Sequence, residues 1–289
     1  MASVKAGPLR WSARQLRRWS GDALLRRMVD ACLAQIRPNA DAIAGGRAGP
    51  GHVHQLRVGL RRLRAAARDM APFSAGLPLD WEAASASVFE ALGEARDRHV
   101  RSTRIAAKLA RAGAPMPDLD ETAPDDIATL RRLVRGPRFQ ELLERLTAYA
   151  RARPVQVAAG AANGLDHLVS RLRKLARQVA RGARGFESLP FERQHQVRKR
   201  LKRLRYLAEF AAPAFASGEI RAWTSRVSRA QDALGRHVDL VVAARHFESA
   251  AISEPRAWFA VGWLRARAKR AARAAHESLV ALRRAGAFW

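Results

Sequence analysis

Two stretches of this chain carry histidine and permanent cations in the same order, 141 positions apart: His54-Gln55-Leu56-Arg57-Val58-Gly59-Leu60-Arg61-Arg62-Leu63-Arg64 and His195-Gln196-Val197-Arg198-Lys199-Arg200-Leu201-Lys202-Arg203-Leu204-Arg205. Arginine's planar fork suits bidentate contact with phosphate oxygens, and lysine adds point charge. The chemistry on offer is the holding of a polyanion. At about 100° of helical rotation per residue, His54, Arg57, Arg61, Arg64 and Arg68 share one stripe, beside an apolar stripe of Val53, Leu56, Leu60, Leu63 and Ala67. His195, Arg198, Lys202 and Arg205 repeat the first stripe; Val197, Leu201, Leu204 and Ala208 repeat the second. Each helix is expected to bury its apolar side and carry its cations at the rim. Solvated helices usually pair opposite charges at i,i+4, which adds a few tenths of a kcal/mol. Here those neighbours are cations that repel, so stability gives no reason for the pattern and a functional basic face is the better reading.

The elements that must position these stripes are read from the rest of the chain. With 53 Lys and Arg against 26 Asp and Glu, the net charge is +27 over 289 residues, so anions are attracted at long range with strong salt dependence. A phosphate polymer fits this balance better than a carboxylate metabolite. Hydrophobic residues make up 48% of the chain, too many for a disordered basic tail, so it should fold around a sizeable core. The length suggests two domains or halves. A second correspondence supports halves: Ala91-Leu92-Gly93-Glu94-Ala95-Arg96-Asp97-Arg98-His99-Val100 against Ala233-Leu234-Gly235-Arg236-His237-Val238-Asp239-Leu240-Val241-Val242, with the Leu-Gly pairs 142 apart. Internal duplication is the expected origin. It divides the chain into a basic N-terminal extension (1–19), a first half (20–153) and a second half (154–289).

Glycine and proline clusters punctuate Ala- and Leu-rich segments of helical period, and strand-like alternation is nearly absent. Eight main helices are expected near 20–37, 52–71, 79–112, 137–152, 162–182, 190–211, 218–248 and 255–285. Four per half makes an all-α protein of two four-helix bundles.

Several classes are set aside. Cys32 is the single cysteine, so neither an intramolecular disulfide nor a metal-thiolate cluster can form. Residues 1–19 lack the apolar run of a secretory signal, and no stretch of about 18 apolar residues could span a bilayer, so a cytoplasmic protein without membrane contact is expected. His52 and His54 fall on nearly opposite helix faces, and no His-Glu-x-x-His spacing, Mg²⁺-holding carboxylate set or Walker loop occurs. No catalytic residue, metal ligand or cofactor is assigned, and the chain is expected to be a non-enzyme. Asp97 and Asp239 are lone acids, expected to orient a motif arginine. The tryptophans Trp11, Trp19, Trp81, Trp223, Trp258, Trp263 and Trp289 are scattered away from the stripes, which disfavours base stacking and predicts core or interface positions.

Together, the two His-x-x-Arg elements and the Leu-Gly elements downstream of them resemble the CHAD family, the conserved-histidine α-helical domain, over approximately residues 20–285. That resemblance implies two four-helix bundles related by pseudo-twofold symmetry around a basic central groove or pore that binds inorganic polyphosphate, with association with polyphosphate granules. Carried over by position, the motif histidines are His54 and His195, and the motif cations are Arg57, Arg61, Arg62, Arg64, Arg198, Lys199, Lys202, Arg203 and Arg205. Val58 stands where the second half has Lys199, so the halves need not contribute equally. The Glu-x-Glu-x-Lys signature of the triphosphate-tunnel enzymes that sometimes accompany the family is absent.

His54 and His195 could hydrogen-bond helix termini or touch ligand; their matched places at the head of both stripes favour ligand contact. Guanidinium neighbours bias an imidazole toward its neutral form and bound phosphate toward the protonated form, so affinity is expected to rise as pH falls from about 8 to about 6, through both histidines. Other polyanions are expected to bind with lower specificity. The rival readings are a nucleic-acid binder, a granule scaffold docking protein partners through Arg265 to Arg273 with Trp258, Phe259 and Trp263, and an orphan phosphatase or kinase. Arg26, Arg27, Arg171, Arg173, Lys174, Arg96, Arg104, Arg226 and Arg236 could line the groove or face water.

Overall fold

A short turn, α1 (Ala13–Leu16), opens on Ser12, whose hydroxyl accepts from Gln15 N while the Gln15 side chain accepts from Ser12 N, a reciprocal cap. Ser20 then caps α2 (Gly21–Ala44) by accepting from Ala23 N. The structure is a computed structural model that describes residues 2–99, 105–114, 126–155 and 163–289, with the side chains of 95–99 and 126 outside the description. The remaining helices are α3 (Pro50–Met70), α4 (Trp81–His99), α5 (Ala106–Arg111), α6 (Asp126–Arg135), α7 (Pro137–Arg151), α8 (Gly164–Ala183), α9 (Phe191–Ala211), α10 (Ser217–Ala250) and α11 (Ala257–Arg284). Among the described residues the protein is all-α, without a strand and with one isolated bridge between Ser20 and Asn163.

Two departures from the expected helices have local causes. The first helix runs on through Pro38 to Ala44, because Asn39, Ala40 and Ile43 beyond the proline are fully buried and packing outweighs the interior-proline penalty of about 3 kcal/mol. The Asn39 amide also donates to Gln35 O, one turn back. The segment before Gly136-Pro137 forms the additional helix α6, which packs against α2 and α4 and ends where Pro137 takes the first position of α7. Leu130 and Val134 are its buried contacts.

Antiparallel neighbours α2–α3, α8–α9 and α10–α11 make the closest pairings. A Cβ on Gly59 would stand 2.8 Å from Ile36 Cγ1, and one on Gly182 would stand 2.4 Å from Val197 Cγ2, so glycine sets how near α3 lies to α2 and α8 to α9. One buried cluster runs from Leu16 to Phe288 and takes in Leu24, Leu60, Leu142, Leu172, Leu201 and Leu279. Burying each such leucine contributes about 1.5–3 kcal/mol. A smaller cluster joins Leu109 of α5 to Leu240, Phe247 and Leu264 at the far end of the α10–α11 hairpin.

A buried polar junction fixes the first helices. Asp22 accepts from Arg26 Nε at 2.7 Å, from Val155 N at 2.8 Å, from Ala75 N at 3.1 Å and from the Ser74 hydroxyl. Burial raises the Asp22 pKa, but these donors, Arg26 first, outweigh it and hold the carboxyl below its usual value of 3.8. Arg26 in turn lies 4.3 Å over the Tyr149 ring.

Candidate functional site

The motif helices α3 and α9 pack against each other, and arginines tie them together. Arg203 of α9 donates from Nε to Oδ2 of the buried Asp69 on α3. Arg62 of α3 is 3% exposed; its Nη1 donates to Gln35 Oε1 at 3.1 Å, its Nε lies 3.5 Å from Glu209 Oε2 of α9, and its guanidinium sits 5.0 Å from the Phe210 ring centroid. Arg205 donates to Glu209 Oε1 at 3.0 Å and to Gln231 Oε1 of α10 at 2.9 Å. The expectation that every motif cation stands at the rim is therefore corrected: Arg62 and Arg198 are buried, and for Arg62 the ring of Phe210 packs against the guanidinium while Gln35 and Glu209 meet its charge.

Two cavities open on the seam. The first, about 480 Å³, is walled by Arg61, Arg64 and Arg68 from α3 and by His195, Arg198, Lys199, Arg200, Lys202 and Arg203 from α9, with Ala65, Phe89, Gln178, Gln196 and Tyr206 completing it. Eight permanent cations face this space, and its described lining includes no carboxylate. The acids stand behind: Arg64 and Arg68 both donate to Glu82 of α4, and Asp69 takes Arg203. Burial raises the Glu82 pKa, but Arg68 and Arg64 outweigh it and hold the carboxyl below its usual range. Like charges repel, by roughly 1 kcal/mol at 4 Å in water and about 4 kcal/mol at 4 Å near a protein surface, so a space lined by eight cations is suited to an anion.

The second cavity, about 490 Å³, is lined by His54, Gln55, Val58, Arg62, Arg205 and Glu209, and residues Lys5 to Leu9 form part of its wall. Val4 N donates to Asn39 Oδ1 and Asn39 Nδ2 donates to Val4 O, which pins this N-terminal segment to α2. Tyr206 is the one residue lining both cavities.

Of the residues singled out in the sequence, Arg61, Arg64, His195, Arg198, Lys199, Lys202 and Arg203 thus come together in one chamber. His54, Arg62 and Arg205 line the other, and Arg57 lines neither; its Nη1 donates to Leu92 O at 3.3 Å. In the second half Gly235 faces the guanidinium of Arg198, the counterpart of Arg57, so each Leu-Gly element lies against the first arginine of its motif. Arg68 and Arg200 join the chamber as well. Arg68 was legible as the end of the first stripe, whereas Arg200 falls off the second stripe and enters because the chamber is wider than one.

Asp97 lies outside the described side chains; Asp69, Glu82 and Glu209 are paired with motif arginines. Glu209 was visible in the sequence, four residues after Arg205. Arg26 is buried on Asp22, and Arg171 lies 5.5 Å from the Phe73 ring, which removes both from the chamber. Trp81 and Trp223 are buried as expected, and Trp258 is 53% exposed at the start of α11. Among the described residues no group of three or more His, Cys, Asp and Glu is set to hold a metal ion, and no helix is long and apolar enough to cross a membrane.

A family model described as the CHAD domain matches residues 27–248. The fold is similar to the crystal structure of the CHAD domain from the plant Ricinus communis, with a TM-score of 0.73 and 23% sequence identity over 97% of each chain. No curated protein matches the sequence.

Proposed function

Since the chain belongs to the CHAD domain family, whose known role is binding polyphosphate, we propose that it binds inorganic polyphosphate in the α3–α9 chamber. The observation that carries this reading is the lining itself: eight permanent cations, and among the described residues no carboxylate, around about 480 Å³. Polyphosphate bears about one charge per phosphate and presents no bases, so dense cations and a space too narrow for a duplex suffice to select it. Affinity then comes from counterion release and charge-assisted hydrogen bonds, the argument made for nucleic acids applied to a thinner polymer. His195 at the chamber edge supplies a further donor when protonated.

This is a binding protein, not an enzyme, and its cellular place is at polyphosphate granules. Residues 20–153 and 154–289 are halves of one duplicated unit, a reading supported by the equal lengths of α3 and α9, 21 residues each, and by the 3-10 turn that follows each one.

The test is competition at matched phosphate concentration. Long-chain polyphosphate displaces a labelled polyphosphate probe, and duplex DNA displaces it far more weakly. Equal displacement by duplex DNA would favour a general nucleic-acid binder. The exposed Trp258 and Phe259 in the first turn of α11, with Arg265 and Arg267 further along the same helix, favour one second reading, contact with a granule protein through α11. Charge reversal there abolishes localisation while sparing polymer binding if that contact exists.

A further inference from the structure

The far end of the α10–α11 hairpin has a build that polymer binding between α3 and α9 does not explain. His237 of α10 lies 2.6 Å from Gln194 Oε1 in the first turn of α9 and 3.1 Å from Ala268 O of α11, which marks the level at which α9 begins. Beyond it α10 continues to Ala250, about 20 Å further on. The residues buried there, with Leu240, Phe247, Val261 and Leu264, form a cluster separate from the main core, joined among the described residues by Ile105 and Leu109.

The tip of this hairpin is apolar and its shaft cationic. Of the seven large hydrophobic residues exposed among the described ones, three fall here: Ile252 in the turn, 89% exposed, and Trp258 and Phe259 in the first turn of α11, 53% and 44% exposed. Helical side chains lean toward the helix N-terminus, so both rings are directed back toward the turn. From Glu248 to Arg273 there are six cations and two acids. Both acids are engaged within the hairpin, Glu248 accepting from Arg265 and Glu254 from Arg256 N at 3.3 Å. A second copy of the chain would set these cations against their own kind, and polyphosphate offers nothing to three apolar side chains. The partner that fits carries negative charge over a hydrocarbon interior.

We infer that the α10–α11 tip docks the protein on an anionic phospholipid surface, with Ile252, Trp258 and Phe259 entering the boundary between headgroups and acyl chains and Arg256, Arg265 and Arg267 meeting lipid phosphates. Interfacial insertion of this kind runs roughly 5–10 Å deep. Arg265 and Arg267 stand about 10–14 Å along α11 from Trp258, and their long side chains reach back to the phosphate level. The lack of a membrane span excludes a transmembrane helix and leaves an interfacial tip open. A granule protein is the competing occupant; it would need a hollow shaped to the tip, whereas a bilayer yields to it. The docking gives the protein a place and does not depend on what the α3–α9 chamber holds.

The test puts an environment-sensitive fluorophore on the tip of the full chain through Ile252→Cys. Cys32 is fully buried, with its thiol pKa pushed up to about 12, and stays unlabelled. Leu79→Cys, at a leucine 100% exposed before α4, is the control. Vesicles of phosphatidylcholine with phosphatidylglycerol are expected to shift the tip label to the blue and leave the control label unchanged, and phosphatidylcholine alone to shift neither. Sedimentation with the anionic vesicles reads affinity, which Trp258→Ser/Phe259→Ser is expected to weaken about tenfold or more while polyphosphate binding is unchanged. Circular dichroism checks the fold of each variant. No vesicle binding, equal shifts at both labels, or unaltered sedimentation of the double variant would overturn the docking, the last two because a chain of net charge +27 can adsorb by any face. A tip shift produced by a purified granule protein and not by vesicles would overturn it in favour of the protein partner.

Discussion

Arg203 on α9 donates to the carboxylate of Asp69 on α3, and 141 positions earlier its counterpart Arg62 packs over Phe210, the counterpart of Asp69. The same interhelical contact is made once as an ion pair and once as a cation over a ring. Both arginines therefore fasten the motif helices together, and only Arg203 also faces the basic chamber.

Removing either member of that ion pair should cost stability unequally. Asp69 is 5% exposed, so Arg203→Ala strands a buried carboxylate, and the loss is about 1–3 kcal/mol after allowing for the partial exposure of Arg203. Asp69→Asn leaves a guanidinium that can turn to solvent and costs less. Urea unfolding of both variants at neutral pH checks the order.

Binding energy should follow the chamber and not the motif. Lys199→Ala and Lys202→Ala each weaken polyphosphate binding and lower the salt slope by about 1, whereas Arg57→Ala, whose guanidinium is turned to Leu92 O, changes the slope by less. Because Lys199 is exposed, its substitution stays within about 0.5 kcal/mol of wild-type stability. Titration at four salt concentrations reads both quantities.

The histidines should also part company. His195 lines the basic chamber and His54 the other cavity. Bound phosphate favours the protonated imidazole, so wild-type affinity rises as pH falls from about 8 to about 6. His195→Ala flattens that rise and His54→Ala leaves it. Equal flattening by the two variants would show that both imidazoles meet the polymer.

Acid stability should trace to Asp22. Its folded pKa lies below the usual 3.8, so its contribution is complete above that value and is lost as pH falls through the folded one. Asp22→Asn strands the buried Arg26 and is expected to cost about 3 kcal/mol at pH 7. The deficit narrows below about pH 4, which thermal melts across pH 2.5–7 would register. A second group acts nearer neutrality: burial pushes the His237 pKa below its usual 6.5, while its Nδ1 lies 3.1 Å from Ala268 O. The unfolded chain then takes up a proton first, and stability declines as pH drops below about 6.5.

The helical class was legible because stripes of Leu and Arg repeat at helical period, and local repulsion along them pointed to a ligand. Less legible was the division of those cations. Val58, Gly59 and Glu209 were all visible in the sequence, but their meaning depends on an antiparallel crossing that sets the start of one motif opposite the end of the other. Asp69 and Glu82 went unread for a related reason: each meets its arginine across helices, at separations no periodicity reports. Pro38 misled because its neighbours are buried, and tertiary packing outweighed a local rule.

A crystal structure of the protein with a polyphosphate of defined short length would test the central claim most directly. The account predicts phosphorus atoms between Arg61 and Arg64 on one side and Lys199 and Lys202 on the other. Phosphates along Arg265 to Arg273 of α11, with the chamber empty, would contradict it.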